Sequence, residues 1–215
     1  MRIALVATLL GGLLASTACL AGEDISKLNG SIRVEDGRTV GDLDTVNGSI
    51  RVGDNVNAED VETVNGSIEI GHGASLKSVG AVNGRISLGE RVRVEGEVEA
   101  VNGSIRIGNG SDIVGRLSNV NGAIHLDAAH VGGGIETVSG DIDIGAGSRV
   151  EGGLLVNKPS GWFNNSRPPR IIIGPDAVVQ GKLEFRREVE LHVSDSATVG
   201  EIVGATPKRF SGDKP

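Results

Sequence analysis

A five-residue unit, Val-Asn-Gly-Ser-Ile with close variants, recurs along most of this chain at a nearly constant spacing. Its copies begin at Leu28, Val46, Val64, Val82, Val101, Val120 and Val138, so the successive spacings are 18, 18, 18, 19, 19 and 18 residues. Self-similarity at a fixed period is the mark of repeat architectures, in which each unit stacks on its neighbours. The chain is therefore expected to be a stack of similar coils.

The apolar residues within each copy alternate with polar ones, which is typical of a β-strand with one buried face. Ile50-Arg51-Val52 shows this period of two, and the apolar spacings of three and four that indicate a helix do not occur. Glycine closes this strand at a constant offset, where a turn with positive φ favours it: Gly53, Gly71, Gly89, Gly108 and Gly145. Each coil is thus predicted to consist of short strands joined by tight corners.

Two β architectures compete for this pattern. An Asn-Gly pair between apolar residues is also the signal of a β-hairpin, so an antiparallel meander is the alternative. Near-identical coil lengths favour stacking, since each residue must lie over its counterpart about 4.8 Å away. We predict an all-β, single-domain, right-handed parallel β-helix (a β-solenoid) of about nine coils of 18–19 residues. Stacking would align the corner asparagines in a hydrogen-bonded ladder: Asn29, Asn47, Asn65, Asn83, Asn102 and Asn121.

The repeat is flanked and interrupted by segments of different composition. Residues 1–21 have the order of a signal peptide, and residues 22–156 hold the Val-Asn-Gly-Ser-Ile coils. Residues 157–170 form a loop rich in proline and aromatic residues, residues 171–205 resume the coils, and residues 206–215 read as a flexible polar tail.

The leader predicts export from the cytoplasm, because a short positive end precedes an apolar stretch and small residues. Two ways of processing it stay open. Cleavage before Gly22 would release a periplasmic or secreted protein, whereas lipidation of Cys19 would anchor the chain in the cell envelope. The apolar stretch is shorter than the roughly 20 residues of a transmembrane helix, so no transmembrane span is expected.

Composition limits the classes of partner. The net charge is −7, and it becomes −8 once Arg2 is removed with the leader, which disfavours binding to nucleic acid. The mature chain has no cysteine for a disulfide, and three Phe, one Trp and no Tyr leave the core to aliphatic residues.

Residues able to carry catalysis or bind a metal form no recognised motif, so no catalytic residue, cofactor or metal is predicted. The four histidines fall at different offsets within their coils, and no cysteine or Glu-x-x-His spacing accompanies them. Six acidic residues precede the corners and could stack into a stripe that attracts a cation: Asp42, Asp44, Asp60, Glu62, Glu99 and Glu136. Arg33, Arg51 and Arg106 would neutralise this stripe from an adjacent face. Thr45, Thr63 and Thr137 share one offset, but other residues interrupt this array.

The loop at 157–170 is the place where aromatic and basic side chains coincide. Trp162, Phe163, Arg167 and Arg170 are of the types that anchor interfaces. The same residues would suit a loop that folds back and caps the flank of the solenoid, so capping and partner binding both remain open.

Two families share these motifs. The Val-Asn-Gly-Ser-Ile units, from about Leu28 to Ile144, resemble bacterial envelope proteins classed as adhesin-like with β-strand repeats, whose function is largely undefined. Ile-Gly-Ala-Gly-Ser-Arg-Val-Glu-Gly-Gly at 144–153 and Ile-Gly-Pro-Asp-Ala-Val-Val-Gln-Gly-Lys at 173–182 are similar to bactofilins. That second resemblance implies cytoskeletal β-helices that polymerise end to end.

Three functions are compatible with this sequence. The first is a noncatalytic envelope protein that acts as an adhesin-like or scaffold protein, with an envelope protein or a glycan as its partner. The second is a homo-oligomer formed by end-to-end stacking, because uncovered strand edges pair with one another. The third is a β-helix enzyme that acts on polysaccharides with carboxylates of one face.

Overall fold

The chain folds into short β-strands, with no helix among the residues that the computed structural model describes, 22–159 and 167–215. The first thirteen strands are β1 (Ile25–Asn29), β2 (Ile32–Val34), β3 (Leu43–Asn47), β4 (Ile50–Val52), β5 (Asn57–Asn65), β6 (Ile68–Ile70), β7 (Ser75–Asn83), β8 (Ile86–Leu88), β9 (Arg93–Val94), β10 (Val98–Asn102), β11 (Ile105–Ile107), β12 (Asp112–Ile113) and β13 (Leu117–Asn121). The next thirteen are β14 (Ile124–Leu126), β15 (His130–Val131), β16 (Ile135–Thr137), β17 (Ile142–Ile144), β18 (Arg149–Val150), β19 (Leu154–Val156), β20 (Arg170–Ile173), β21 (Val178–Val179), β22 (Leu183–Phe185), β23 (Glu190–Ser194), β24 (Thr198–Val199), β25 (Ile202–Val203) and β26 (Lys208–Phe210).

The strands form three series, which we call faces 1, 2 and 3. Face 1 contains β1, β3, the second halves of β5 and β7, then β10, β13, β16, β19, β22 and β25. Face 2 is the ten-stranded sheet β2, β4, β6, β8, β11, β14, β17, β20, β23 and β26. Face 3 contains the first halves of β5 and β7, then β9, β12, β15, β18, β21 and β24. The chain passes from face 1 to face 2 at corner 1, from face 2 to face 3 at corner 2, and back to face 1 at corner 3.

All strand pairs are parallel, so the predicted single-domain β-solenoid is confirmed and the antiparallel meander is wrong. Face 2 counts ten stacked strands, one more than the nine coils expected from the sequence. The difference arises because Lys208–Phe210, within the segment predicted as a flexible tail, pairs with β23 as the last strand of face 2. Ten coils about 4.8 Å apart make a rod about 45 Å long.

The core is a set of aliphatic columns that run along the rod. Ile50 and Val52 are buried while Arg51 between them is exposed, and the pairing places Ile68 and Ile70 over the two buried residues. Burying a side chain of this size stabilises the fold by about 1.5–3 kcal/mol. Similar aliphatic side chains therefore pack on one another from coil to coil. Among residues 22–159 and 167–215, Phe185 is the only aromatic residue in the buried core.

The threonines that share an offset face the interior rather than a surface. Thr45 and Thr63 are almost fully buried, because they follow the inward residues of face 1 by two positions. Their hydroxyls donate to the carbonyl oxygens of Gly30 and Gly48 in the preceding coil, at 3.1 and 3.0 Å. These bonds satisfy polar groups at corner 1 from inside the solenoid.

The glycines at the ends of the face 2 strands have a different role from the one predicted. Positive φ occurs two residues later, as at Asn55 (54°) and Gly73 (67°). Gly53 and Gly71 are instead required by close stacking, since a Cβ atom on Gly71 would lie 2.6 Å from the carbonyl carbon of Gly53. The backbones of successive coils approach each other too closely there for any side chain.

Differences in coil length are absorbed at corners 2 and 3. Ser75 lies under Arg93, 18 residues on, but Val79 lies under Val98, 19 residues on, so the added residue is in corner 3. Strands β5 and β7 therefore run through this corner without interruption, whereas later coils divide into two strands there. One residue is likewise lost at corner 2 before β15.

The predicted loop at 157–170 is an insertion at corner 1. Strand β19 ends at Val156, and Ile171 resumes face 2 directly over Ile142. Trp162 and Phe163 lie outside the described residues. The insertion thus occupies the same corner as the asparagines of the earlier coils.

Candidate functional site

The six corner asparagines form a continuous ladder on the outside of the rod. Each Nδ2 donates to Oδ1 of the asparagine one coil earlier, at 3.0 Å for the pairs that begin at Asn47, Asn65 and Asn83, and at 3.1 Å for those at Asn102 and Asn121. The side chains are exposed and the backbones pair in register. The predicted asparagine ladder is therefore confirmed.

A column of aliphatic side chains runs beside the ladder on the outer surface of face 1. Leu28 is 70% exposed, and the residues stacked on it are half-buried: Val46, Val64, Val82, Val101 and Val120. They point outward because the inward positions of these strands belong to neighbours such as Leu43 and Thr45. Face 1 thus presents a narrow apolar strip bordered by amides.

Acidic side chains form the next column of face 1, although not the continuous stripe that was predicted. Asp44 lies directly under Glu62, but Gly80 and Ser118 separate Glu62 from Glu99 and Glu99 from Glu136. Burial, followed by the charges of neighbouring carboxylates, raises the pKa of Asp44, Glu62 and Glu99. The negative charge of these carboxylates is therefore disfavoured, although Arg116 offsets part of the effect on Glu99 and a Ser26 hydrogen bond offsets part of it on Asp44.

The acids at the edge of face 1 have bonds of their own. Asp42 accepts the backbone N–H of Asp60 at 3.1 Å, and Asp60 binds the Lys77 ammonium at 2.9 Å. Nearer the middle of the rod, Arg116 pairs with Glu97 at 3.1 Å and Glu136 at 3.5 Å.

The predicted neutralisation by Arg33, Arg51 and Arg106 is wrong. These side chains point outward from face 2, where Arg33 lies 3.6 Å from Glu35 and Arg51 lies 2.6 Å from Glu69. They lie on the adjacent face as expected, but Arg33 and Arg51 pair with acids of face 2 and not with the acidic column.

The histidines are less scattered than their spacing in the sequence suggests. His125 and His192 occupy the same outward column of face 2, separated by Asp143 and Ile172. The insertion had obscured this shared offset. His125 lies 3.0 Å from Asp143, and no group of three or more potential metal ligands occurs in ranges 22–159 and 167–215.

A charge network on face 3 was not anticipated from the sequence. Asp112 binds the Arg93 guanidinium with one oxygen, and its Oδ1 lies 2.6 Å from His130 Nδ1. On the far side, His130 Nε2 is 3.5 Å from Glu151, which also pairs with Arg149 at 3.2 Å. The signal was present, since Arg93, Asp112, His130 and Arg149 share one offset in successive coils.

The residues at the two ends of the insertion are fixed to the rod by charge. Arg167 Nη1 donates to Asp141 Oδ1 at 3.0 Å and its second nitrogen binds the other oxygen, while the Arg170 N–H donates to Oδ1 at 2.8 Å. Partial burial raises the pKa of Asp141, but these donors outweigh it and hold the pKa below its usual value. At the other end, Asn157 accepts a hydrogen bond from Arg186 at 3.0 Å. Both predicted arginines thus contact one aspartate of the preceding coil, Arg167 through its guanidinium and Arg170 through its backbone N–H.

Open grooves occur on the described part of the rod, and two of them hold charged side chains. One, of about 280 Å³, lies at corner 3 and is lined by glycines together with Arg116, Glu136, Lys182 and Glu184. The other, of about 330 Å³, lies over the first coils of face 2. Both grooves contain acidic and basic side chains side by side.

Cys19, the predicted lipidation site, lies outside the described residues, as do Trp162 and Phe163. Within the described part of the chain, no helix is long and apolar enough to cross a membrane. No protein-family model matches the sequence, and no curated protein or solved structure matches it either.

Proposed function

We propose that this protein is a noncatalytic cell-envelope protein in which a stiff solenoid presents an adhesin-like or scaffolding surface. The observation that carries the proposal is the attachment of the insertion, whose described ends bind the rod through Asn157 and Asp141. An interaction segment held at both ends loses less conformational entropy on binding than a free one.

The composition of the insertion supports its role as the contact region. Its sequence holds Trp162 and Phe163, residue types enriched in binding hot spots. Arg167 keeps 70% of its side chain exposed while it binds Asp141, so part of the guanidinium is free to contact a carboxylate or a sugar hydroxyl. The partner we propose is an envelope protein or a glycan.

The mature chain can test this proposal directly. It would be immobilised and exposed separately to detergent-solubilised envelope proteins and to purified envelope polysaccharide. A variant with Trp162→Ala and Phe163→Ala should lose the retained material, whereas Leu28→Ala, at an exposed apolar residue elsewhere, should keep it. Equal retention by all three proteins contradicts the role of the insertion. Release of sugars that is lost in Asp60→Asn would favour a polysaccharide-acting enzyme instead.

We propose in addition that the protein acts outside the cytoplasm. The signal-peptide order of residues 1–21 supports export to the periplasm or the exterior, and lipidation of Cys19 is the alternative that would anchor the protein. Intact-mass measurement of the protein from fractionated cells distinguishes the two, because a diacylated cysteine and a chain that begins at Gly22 differ in mass. Recovery of the full-length chain from the cytoplasm would contradict export.

End-to-end self-assembly is opposed by a basic residue at each end of the rod. Lys27 is in register with buried Thr45, and its ammonium reaches across to the Ser31 carbonyl oxygen at 2.7 Å. Arg209 is in register with buried Val193, and it donates to the Ser194 carbonyl oxygen at 3.1 Å. Inward-pointing charges on edge strands are a known protection against edge pairing, because stacking would bury them.

If these two basic residues prevent end-to-end pairing, their removal should change the association state of the protein. The wild-type chain should sediment as a discrete monomer, whereas a variant with Lys27→Val and Arg209→Val should associate through its ends as its concentration rises. Arg33→Val, which removes an outward basic residue near the same end, should stay monomeric. Filaments of the wild-type chain in electron microscopy would favour the self-assembling alternative.

A further inference from the structure

Seven Asn-Gly steps occur in the described residues, and such steps are chemically vulnerable. The backbone nitrogen of the glycine can attack the side-chain amide of the asparagine, and glycine has no Cβ to hinder the approach. In six steps the glycine N–H donates to a carbonyl oxygen of the next coil. The distances are 2.9 Å for Gly30, Gly84 and Gly103, 3.0 Å for Gly48 and Gly66, and 3.1 Å for Gly110.

Gly122 is the exception. Within the described part of the chain, its N–H donates to no carbonyl or side-chain acceptor. The cause lies in the next coil, where β16 ends at Thr137, short of the position that corresponds to Asn121. There the Gly140 N–H donates to Thr137 Oγ1 at 3.1 Å, so the regular corner is not repeated.

The ladder also stops at this step. Asn121 donates to Asn102 at 3.1 Å, but Ser139 occupies the next corner position and supplies no amide. The side chain of Asn121 is exposed and is held from one side alone. Asn121 and Gly122 thus combine a weakly held amide with a free nucleophile.

We propose that Asn121 is a site of spontaneous deamidation. The Gly122 nitrogen attacks Cγ of Asn121 and forms a C–N bond, the Cγ–Nδ2 bond breaks, and ammonia leaves with the proton given up by Gly122. Water then opens the five-membered ring at either carbonyl, which yields aspartate or isoaspartate. No oxidant or further reactant takes part.

The product changes the end of the ladder. A carboxylate cannot donate to Asn102 Oδ1, and it adds a negative charge to the outer corner. An isoaspartate also lengthens the backbone by one carbon at a corner where Gly122 stacks on Gly103, whose carbonyl oxygen lies 2.2 Å from the position of a Cβ on Gly122. The change falls two coils before the insertion, on the same corner.

Asn29 is the matched control within the chain. It is exposed and lies at the other end of the ladder, and its context, Leu28-Asn29-Gly30-Ser31, is close to Val120-Asn121-Gly122-Ala123, but its Gly30 N–H is bonded. The folded protein would be aged in mildly alkaline buffer, and peptide mapping by mass spectrometry with isoaspartyl methyltransferase labelling would follow each step. Because one more backbone hydrogen bond must open first, deamidation at Asn29 should be about five- to tenfold slower than at Asn121. Equal rates at the two asparagines, or conversion elsewhere before Asn121, would overturn the proposal.

Two further measurements test the cause. Hydrogen exchange on the unaged protein should show the Gly122 amide exchanging faster than the Gly30 amide, and equal protection contradicts the proposal. Ser139→Asn extends the ladder by one residue and should slow deamidation of Asn121. If this variant protects the Gly122 amide from exchange yet leaves the deamidation rate unchanged, the attack by Gly122 is not the controlling step and the proposal is wrong.

Discussion

Removal of one asparagine from the ladder should destabilise the rod in proportion to the number of ladder bonds lost. Asn65 takes part in two bonds of 3.0 Å, to Asn47 and from Asn83, whereas Asn29 at the end takes part in one. An intramolecular hydrogen bond contributes about 0.5–1.5 kcal/mol net, and exposure places these near the lower end. We therefore expect Asn65→Ala to lower the free energy of unfolding by about 1–2 kcal/mol, and Asn29→Ala by about half as much.

The test compares the losses of unfolding free energy in the two single variants. Both asparagines precede glycine at the same corner, so the difference in backbone preference between asparagine and alanine is the same in each and cancels. Urea unfolding followed by circular dichroism gives the two free energies. A double variant of Asn65 and Asn83 loses three bonds rather than the four counted from the single variants, so its destabilisation should fall short of their sum by about 0.5–1 kcal/mol. The pair Asn29 and Asn83 shares no bond and should be additive. Equal losses for Asn29→Ala and Asn65→Ala, or full additivity for the adjacent pair, would refute the ladder as a source of stability.

Three other predictions concern stacking and charge. Gly66→Ala places a Cβ 1.9 Å from the Gly48 carbonyl oxygen and should lower the free energy of unfolding by about 3 kcal/mol or more. Gly147→Ala meets open space, so it should lower this free energy only by the left-handed backbone strain of about 1–2 kcal/mol. Thermal unfolding distinguishes the two variants. Because the pKa of Glu62 is raised by burial and by neighbouring carboxylates, Glu62→Gln should stabilise the protein at neutral pH, and this gain should vanish as the pH falls through the raised pKa. Asp141 has a lowered pKa, so Asp141→Asn should destabilise the protein at neutral pH, and the difference should shrink as the pH falls through that lowered pKa. Unfolding curves across pH that move in the same direction for both variants would contradict these signs.

The repeat spacing predicts the register because parallel coils place identical positions over one another. Counting from Val46 to Val64 is enough to set Asn47 under Asn65 and Ile50 under Ile68, and both pairings are confirmed. The ladder follows from that register without further information, since a column of amides at this spacing satisfies its own donors and acceptors.

The direction of each side chain was harder to predict than its height along the rod. Thr45 and Arg51 each stand one place from a residue of opposite orientation, so their environment depends on how the strand alternates through corner 1. The threonines proved to be interior. Arg33 and Arg51 point outward on the adjacent face as expected, but their partners are Glu35 and Glu69 and not the acidic column. His192 was misplaced for another reason, because the inserted residues upset the count of coils.

Because changes in coil length are confined to the corners, the solenoid can accept inserted segments without disturbing its buried columns. A residue added at corner 3 between Val94 and Val98 leaves the buried columns on both sides in register, and at corner 1 an entire segment enters between Val156 and Ile171 with the same result. The rod therefore offers one possible insertion position per coil at a given corner, and successive positions are about 4.8 Å apart. Recognition peptides grafted at successive corners would be displayed at fixed and selectable separations.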